Sequence, residues 1–174
     1  MTKDPRYPIG PFSPPVALSP EERDAAVSAI EVAPQRLREA VSGLNDAQLD
    51  TRYRPGGWTV RQLVHHVADS HINAFVRLKL TLTEDGPTIR TYDQARWAEL
   101  ADASAPVDVS LDLLDRVHER WVMVWRSMTP EDWARQLEHP EVGRMGVDQL
   151  LALYAWHGRH HVAHVTTLRE AEGW

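Results

Sequence analysis

Cysteine is absent from all 174 residues, which excludes disulfides, iron–sulfur ligation, thiolate zinc sites and a nucleophilic thiol of the chain's own. Any sulfur chemistry must enter with a substrate. No apolar run approaches the ~18 residues of a membrane span, and the N-terminal MTKDPRYPIGPFSPP has none of the apolar core of a secretion signal. The expected location is the cytoplasm. Clusters of Lys and Arg are missing and the formal charge is −6, which argues against a nucleic-acid or membrane partner. There is no internal repeat, no low-complexity segment and no convincing alternating strand pattern. What remains is a chain of one-domain size, long enough to bury a core, so a metal would be present for function rather than for folding.

Residues 1–18 hold five of the twelve prolines and are read as an extended arm over the surface, because proline fixes φ and removes a donor. Residues 19–174 are read as a single domain. Ser19-Pro20-Glu21-Glu22 combines an N-cap, a first-turn proline and a capping-box glutamate, opening a helix to about Ser42, with a kink expected at Pro34. Thr59 and Gln62 repeat the capping box before Val60, Val64, Val67, His71, Phe75, Leu78 and Leu82, which fall at helical spacing and stop before Asp85-Gly86-Pro87. A polar crossover from about 86 to 109 follows, with one short helix near 93–101. A third long helix carries Leu111, Leu114, Val117, Trp121, Val124, Trp125 and Met128, and Thr129-Pro130 opens a short helix near 131–137. The last helix runs from Gly146 to about Glu170. Four long amphipathic helices with one long crossover between the second and third predict an all-α four-helix bundle.

Seven of the nine histidines fall in two short segments, His65, His66 and His71 in one and His157, His160, His161 and His164 in the other. Residues four apart on a helix share a face, so His157 with His161, and His160 with His164, can each reach one ion. The apolar stripe of Val147, Leu151, Tyr154 and Val165 places His161 within it and His157 at its edge. His164 lies farther round and His160 points away, so the inward pair is His157 and His161. On the second helix His71 is central in the stripe, while His65 and His66 flank it. His118 and His139 lie outside both clusters and are read as surface or structural residues, and the seven tryptophans as core and interface material. That much aromatic surface, together with the proline-rich arm, points to a homodimer.

The segments YPIG, GGWTVRQLVHHVADSHINAFVRLKLTLTED, YDQARWAEL, the RW at 120–121 and LYAWHGRHHVAH closely resemble the YfiT-like branch of the DinB superfamily, from about Tyr7 to Gly173. That branch includes bacillithiol S-transferases and proteins provisionally assigned as metal-dependent hydrolases. The resemblance implies a four-helix bundle, usually a homodimer, with one divalent metal held by His66, His157 and His161. For the last helix, resemblance and periodicity agree. For the second they differ, since the stripe favours His71, which stays the alternative to His66.

Three neutral imidazoles would leave a divalent ion its full charge and an open position, the pattern of catalytic zinc. An ion in such a site acidifies water and deprotonates a thiol. A di-iron bundle site would need Glu-x-x-His pairs, which do not occur, and a zincin would need a glutamate where Gly158, Arg159 and His160 stand. Asp69 is a candidate to orient an imidazole from behind. His160, Arg159 and Arg77 are candidates for substrate contact. A cationic site without an evident base suits transfer of a low-molecular-weight thiol, bacillithiol by resemblance, to an electrophile. Hydrolysis by metal-activated water, or a metal-binding stress module without turnover, are the alternatives. Zinc and nickel are the expected metals, since a three-histidine site accepts several divalent ions.

Overall fold

The computed structural model describes residues 4–174; Met1–Lys3 of the arm lie outside the described residues. Four long helices, α1 (Pro20–Val41), α3 (Val60–Thr83), α5 (Val107–Arg126) and α7 (Val147–Glu172), carry the fold, with short helices α2 (Asp46–Leu49), α4 (Gln94–Trp97) and α6 (Pro130–Trp133) and a 3₁₀ turn at Ala101–Ser104 between them. α1 packs against α5 and α7, and α3 also packs against both, so the order round the bundle is α1, α7, α3, α5. Both expected capping boxes are formed, Ser19 with Glu22 and Thr59 with Gln62. No helix is long and apolar enough to cross a membrane among the described residues.

Pro34 lies inside α1, which is helical on both sides of it. One local expectation gives way, since the segment after α6 is a hairpin rather than more helix. Its strands β1 (Gln136–His139) and β2 (Gly143–Gly146) pair antiparallel, Leu137 opposite Met145. Four-residue strands are too short to show a period of two. The start of the crossover secures the hairpin, with Ile89 N–H donating to the Glu138 carbonyl and Glu138 N–H to the Pro87 carbonyl.

The apolar interior comes in two parts. One is built around Ile30, Leu78, Trp121, Trp125, Leu150, Leu151 and Tyr154, the other around Leu37, Leu63, Val64, Leu111, Leu114 and Val165. Between them lies a layer to which every long helix contributes a small or polar residue: Ala33 and Pro34 from α1, His71 from α3, His118 from α5, His157 and Gly158 from α7. Gly158 lets α7 approach α1 closely, since a Cβ there would stand 3.1 Å from that of Ala33 and 3.7 Å from Cε1 of His71.

Residues 4–18 form no helix or strand and run along α7. Leu18 N–H donates to the Asp148 carboxylate, Gln149 Nε2 to the Pro15 carbonyl and Trp156 Nε1 to the Gly10 carbonyl. Arg23 of α1 grips Asp148 with two nitrogens at 2.7 and 2.9 Å, a bidentate and largely desolvated pair that ties the two helix starts together.

Candidate metal centre

α3 and α7 meet where the histidine segments face each other. His66, His157 and His161 each offer a ring nitrogen, and these atoms lie within 4.8 Å of one another. The helical pair is closest, with 3.1 Å between the Nε2 atoms of His157 and His161. The His66 ring stands 5.4 Å from that of His157 and 5.0 Å from that of His161, and Trp58 packs on its other side at 4.6 Å. Burial holds His66 down at about pH 4 and His157 and His161 well below the ordinary imidazole range, with the neighbouring imidazoles acting the same way. At neutral pH all three rings are therefore uncharged and keep a lone pair. Three neutral, converging nitrogen donors fit a divalent cation.

His71, the alternative from the apolar stripe, is one ring removed. It is fully buried, its Nδ1 lies 2.7 Å from Nε2 of His118 and its Nε2 lies 3.0 Å from Nδ1 of His157. Both nitrogens are thus occupied by other histidines. Of the two readings of His118, surface or structural, it fits the second: it is buried, and its Nδ1 donates to the Ile30 carbonyl at 2.6 Å. The reading of His160 as pointing away is also corrected. It is 8% exposed, because the arm and Trp156 cover that side of α7: the Trp156 ring stacks on it at 4.3 Å and Tyr7 lies 6.3 Å away. Its Nε2 sits 3.1 Å from that of His164, so α7 carries two largely buried histidine pairs.

These residues line a cleft of about 480 Å³ whose walls include Tyr7, Tyr53, Trp58, Trp156 and Gln94. Among the described residues its charged side chains are Arg6 and Arg54, and no carboxylate lines it. Arg6 is paired with Asp4 at 2.8 Å, whereas Arg54 lies beside Tyr53 and helps burial to push the imidazoles of His160 and His164 down to about 4. Of the expected substrate arginines, Arg159 is exposed and donates to the Ala155 carbonyl of its own helix. Arg77 faces a different cleft with Tyr92, His139 and Tyr154. Asp69 makes no hydrogen bond to a histidine among the described residues. It lies behind His66 in a small cavity with Tyr92 and Asp102, where burial and then Asp102 raise its carboxyl to about 6. Sequence reasoning missed Arg54; its place in the Tyr53–Trp58 loop, just before the histidine helix, was the available signal. A cleft of similar size beside β1, about 510 Å³, is lined by Glu84, Glu131, Arg135 and Glu138 and holds no histidine, so chemistry rather than volume singles out the first.

The fold and the converging imidazoles define a four-helix-bundle protein with a group able to hold a metal ion. The chain belongs to the DinB superfamily, whose family model matches residues 29–165. Its relatives include a protein of Bacillus mycoides provisionally named a metal-dependent hydrolase, 50% identical over 99% of both chains, and one of Bacillus cereus of the same name, 50% identical over 98% of this chain and 99% of that one. The structure of YfiT from Bacillus subtilis, provisionally described as a metal-dependent hydrolase with an unusual four-helix bundle topology, superposes with a TM-score of 0.95 at 44% identity over 98% of each chain. A mycothiol-dependent maleylpyruvate isomerase shares the fold at 17% identity and a TM-score of 0.66, covering 82% of this chain and 60% of that one.

Proposed function

We propose that this protein is a metal-dependent enzyme in which His66, His157 and His161 hold one divalent ion, zinc or nickel, and that it transfers a low-molecular-weight thiol to an electrophilic carbon. The observation that carries this reading is the make-up of the cleft among the described residues: five histidines, two arginines and aromatic walls, without a carboxylate. A bound divalent ion supplies Lewis acidity, lowering the pKa of a thiol from its ordinary ~8.5 so that it ionises at neutral pH. The chain's own residues do the rest. Arg54 attracts the anionic groups of the thiol substrate, Trp58 and Tyr53 offer apolar faces to its carbon skeleton, and the His160–His164 pair presents ring nitrogens for hydrogen bonds within the same cleft. The sulfur lone pair forms the S–C bond, the leaving group departs with the electrons of the broken bond, and the thiol proton passes to water at the cleft mouth.

The names of the relatives favour hydrolysis as a second reading. A hydrolase would be served by a base beside the attacking water, and among the described residues no carboxylate lines the cleft; Asp69 lines the small neighbouring cavity that shares His66 with it. Conjugation of monochlorobimane with a panel of cellular thiols, run with and without chelator, separates the two. Thiol-dependent, chelator-sensitive conjugation supports transfer. Ester or amide cleavage that proceeds without thiol rejects it. Pairing of two copies into a homodimer is part of the same proposal, and sedimentation giving a concentration-independent mass of one chain would remove it.

A further inference from the structure

A proline in the middle of a long helix needs a reason, because it removes one intrahelical hydrogen bond and disfavours the helix around it. Pro34 lies inside α1, and the bond it cannot make is the one to the carbonyl of Ile30. That carbonyl accepts instead from Nδ1 of His118, at 2.6 Å. From there the contacts continue without a break, His118 Nε2 to His71 Nδ1 at 2.7 Å and His71 Nε2 to His157 Nδ1 at 3.0 Å. The series crosses all four long helices and ends on one of the three converging imidazoles.

Its direction is fixed by its far end. A carbonyl can only accept, so the His118 proton resides on Nδ1. His118 is uncharged, since burial pushes its imidazole down to about 4, and its Nε2 is therefore bare and accepts from Nδ1–H of His71. His71 is fully buried, and with its one ring proton on Nδ1 its Nε2 is bare and accepts from Nδ1–H of His157 at 3.0 Å. His157 is left with its lone pair on Nε2, the atom 3.1 Å from Nε2 of His161. The reverse order would set the bare Nδ1 of His118 against the bare carbonyl of Ile30 in a dry interior, where an unmet polar contact is costly.

We propose that Pro34, His118 and His71 are positioning residues for His157, a carbonyl-anchored histidine series that sets its tautomer and ring orientation so that Nε2 faces the ion. The role of Pro34 is to free the acceptor that anchors the series. The proposal rests on the metal reading of His66, His157 and His161. Its consequence is a ligand of raised basicity held from behind by three further residues, the arrangement in which a second layer of hydrogen bonds tunes metal affinity.

The test begins with the metal-free protein, in which long-range ¹H–¹⁵N spectra read the tautomer of each imidazole. The series predicts Nδ1–H for His118, His71 and His157. Nε2–H on either His71 or His157 would overturn it. Zinc affinity, measured by competition with a chromogenic chelator, then separates positioning from mere packing. His118→Phe is expected to weaken binding about tenfold, while His118→Gln, which keeps an acceptor for His71, recovers most of the loss at similar thermal stability. Pro34→Ala restores a helical donor to Ile30, and is expected to lower zinc affinity about threefold with no loss of thermal stability. Folded His118→Phe protein binding zinc within a factor of two of the parent would overturn the proposal. Wild-type protein that takes up no metal would instead overturn the metal reading, and the tautomers would still report on the series by itself.

Discussion

α7 carries two histidine pairs of the same local geometry, His157/His161 and His160/His164, each with 3.1 Å between Nε2 atoms. Their surroundings differ. The first pair meets His66 from α3 and is backed by His71 and His118. The second faces Tyr53 and Trp156 and has Arg54 nearby; each pair keeps one buried Nδ1 without a partner among the described residues, that of His161 in the first and of His160 in the second. Spacing on one helix makes a pair of donors. A third donor from another helix, and hydrogen bonds that hold the rings from behind, make a place for an ion. A nearby guanidinium does the opposite, since it opposes a second cation.

The comparison breaks most sharply by deletion. Replacing His157 or His161 with alanine should reduce bound metal by at least about a hundredfold in affinity, while His160→Ala retains stoichiometric metal by mass spectrometry. Equal loss from both pairs would erase the distinction.

Acid should come next in size. His66, His118, His160 and His164 are held at about 4, and His71, His157 and His161 are pushed well down, in every case chiefly by burial. In the unfolded chain each returns to about 6.5. The unfolded state therefore binds protons that the folded state refuses, so stability is full above about pH 6.5 and falls as pH drops towards 4. Thermal melts of metal-free protein should show the midpoint falling by several degrees between pH 7.5 and 5. The double change His160→Gln with His164→Gln should reduce that dependence while leaving metal binding intact.

Packing behind the first pair supplies a smaller effect. Gly158→Ala would push a methyl towards Ala33 and the ring of His71, at a cost of about 1–3 kcal/mol by denaturant titration, together with weaker metal binding because His71 moves. Beside the second pair, Arg54→Ala should raise the KM for an anionic thiol about threefold without releasing metal. The same change should raise the pKa values of His160 and His164, read by NMR, because a neighbouring positive charge is gone.

The bundle was legible because two of the long helices announce their starts, through Ser19 with Glu22 and Thr59 with Gln62, and all four keep a helical stripe. The inward choice of His157 and His161 followed from that stripe. His66 did not, since periodicity ranks the deepest residue first and the deepest one, His71, serves the histidine series behind the cleft. His160 was misplaced because a helical stripe knows nothing of a separate strand of chain lying along the helix, and here the arm covers it through Tyr7 and Gly10. His118 looked isolated in sequence for a similar reason. Its partners come from Ile30 on α1 and His71 on α3, 88 and 47 residues away. The hairpin was invisible because its two strands are four residues each and rely on Pro87 and Ile89 of the crossover.

The central claim, a metal held by His66, His157 and His161 that takes up a thiol as its thiolate, is tested most directly by cobalt substitution. One equivalent of Co²⁺ should bind, and added thiol should produce a saturable sulfur-to-cobalt charge-transfer band in the near ultraviolet, with thiol affinity rising with pH until the free thiol ionises near its ordinary pKa of about 8.5. The band should be absent from His157→Ala protein and present in His160→Ala protein. A cobalt spectrum that thiol leaves unchanged, in protein that cleaves an ester without thiol, would contradict the account.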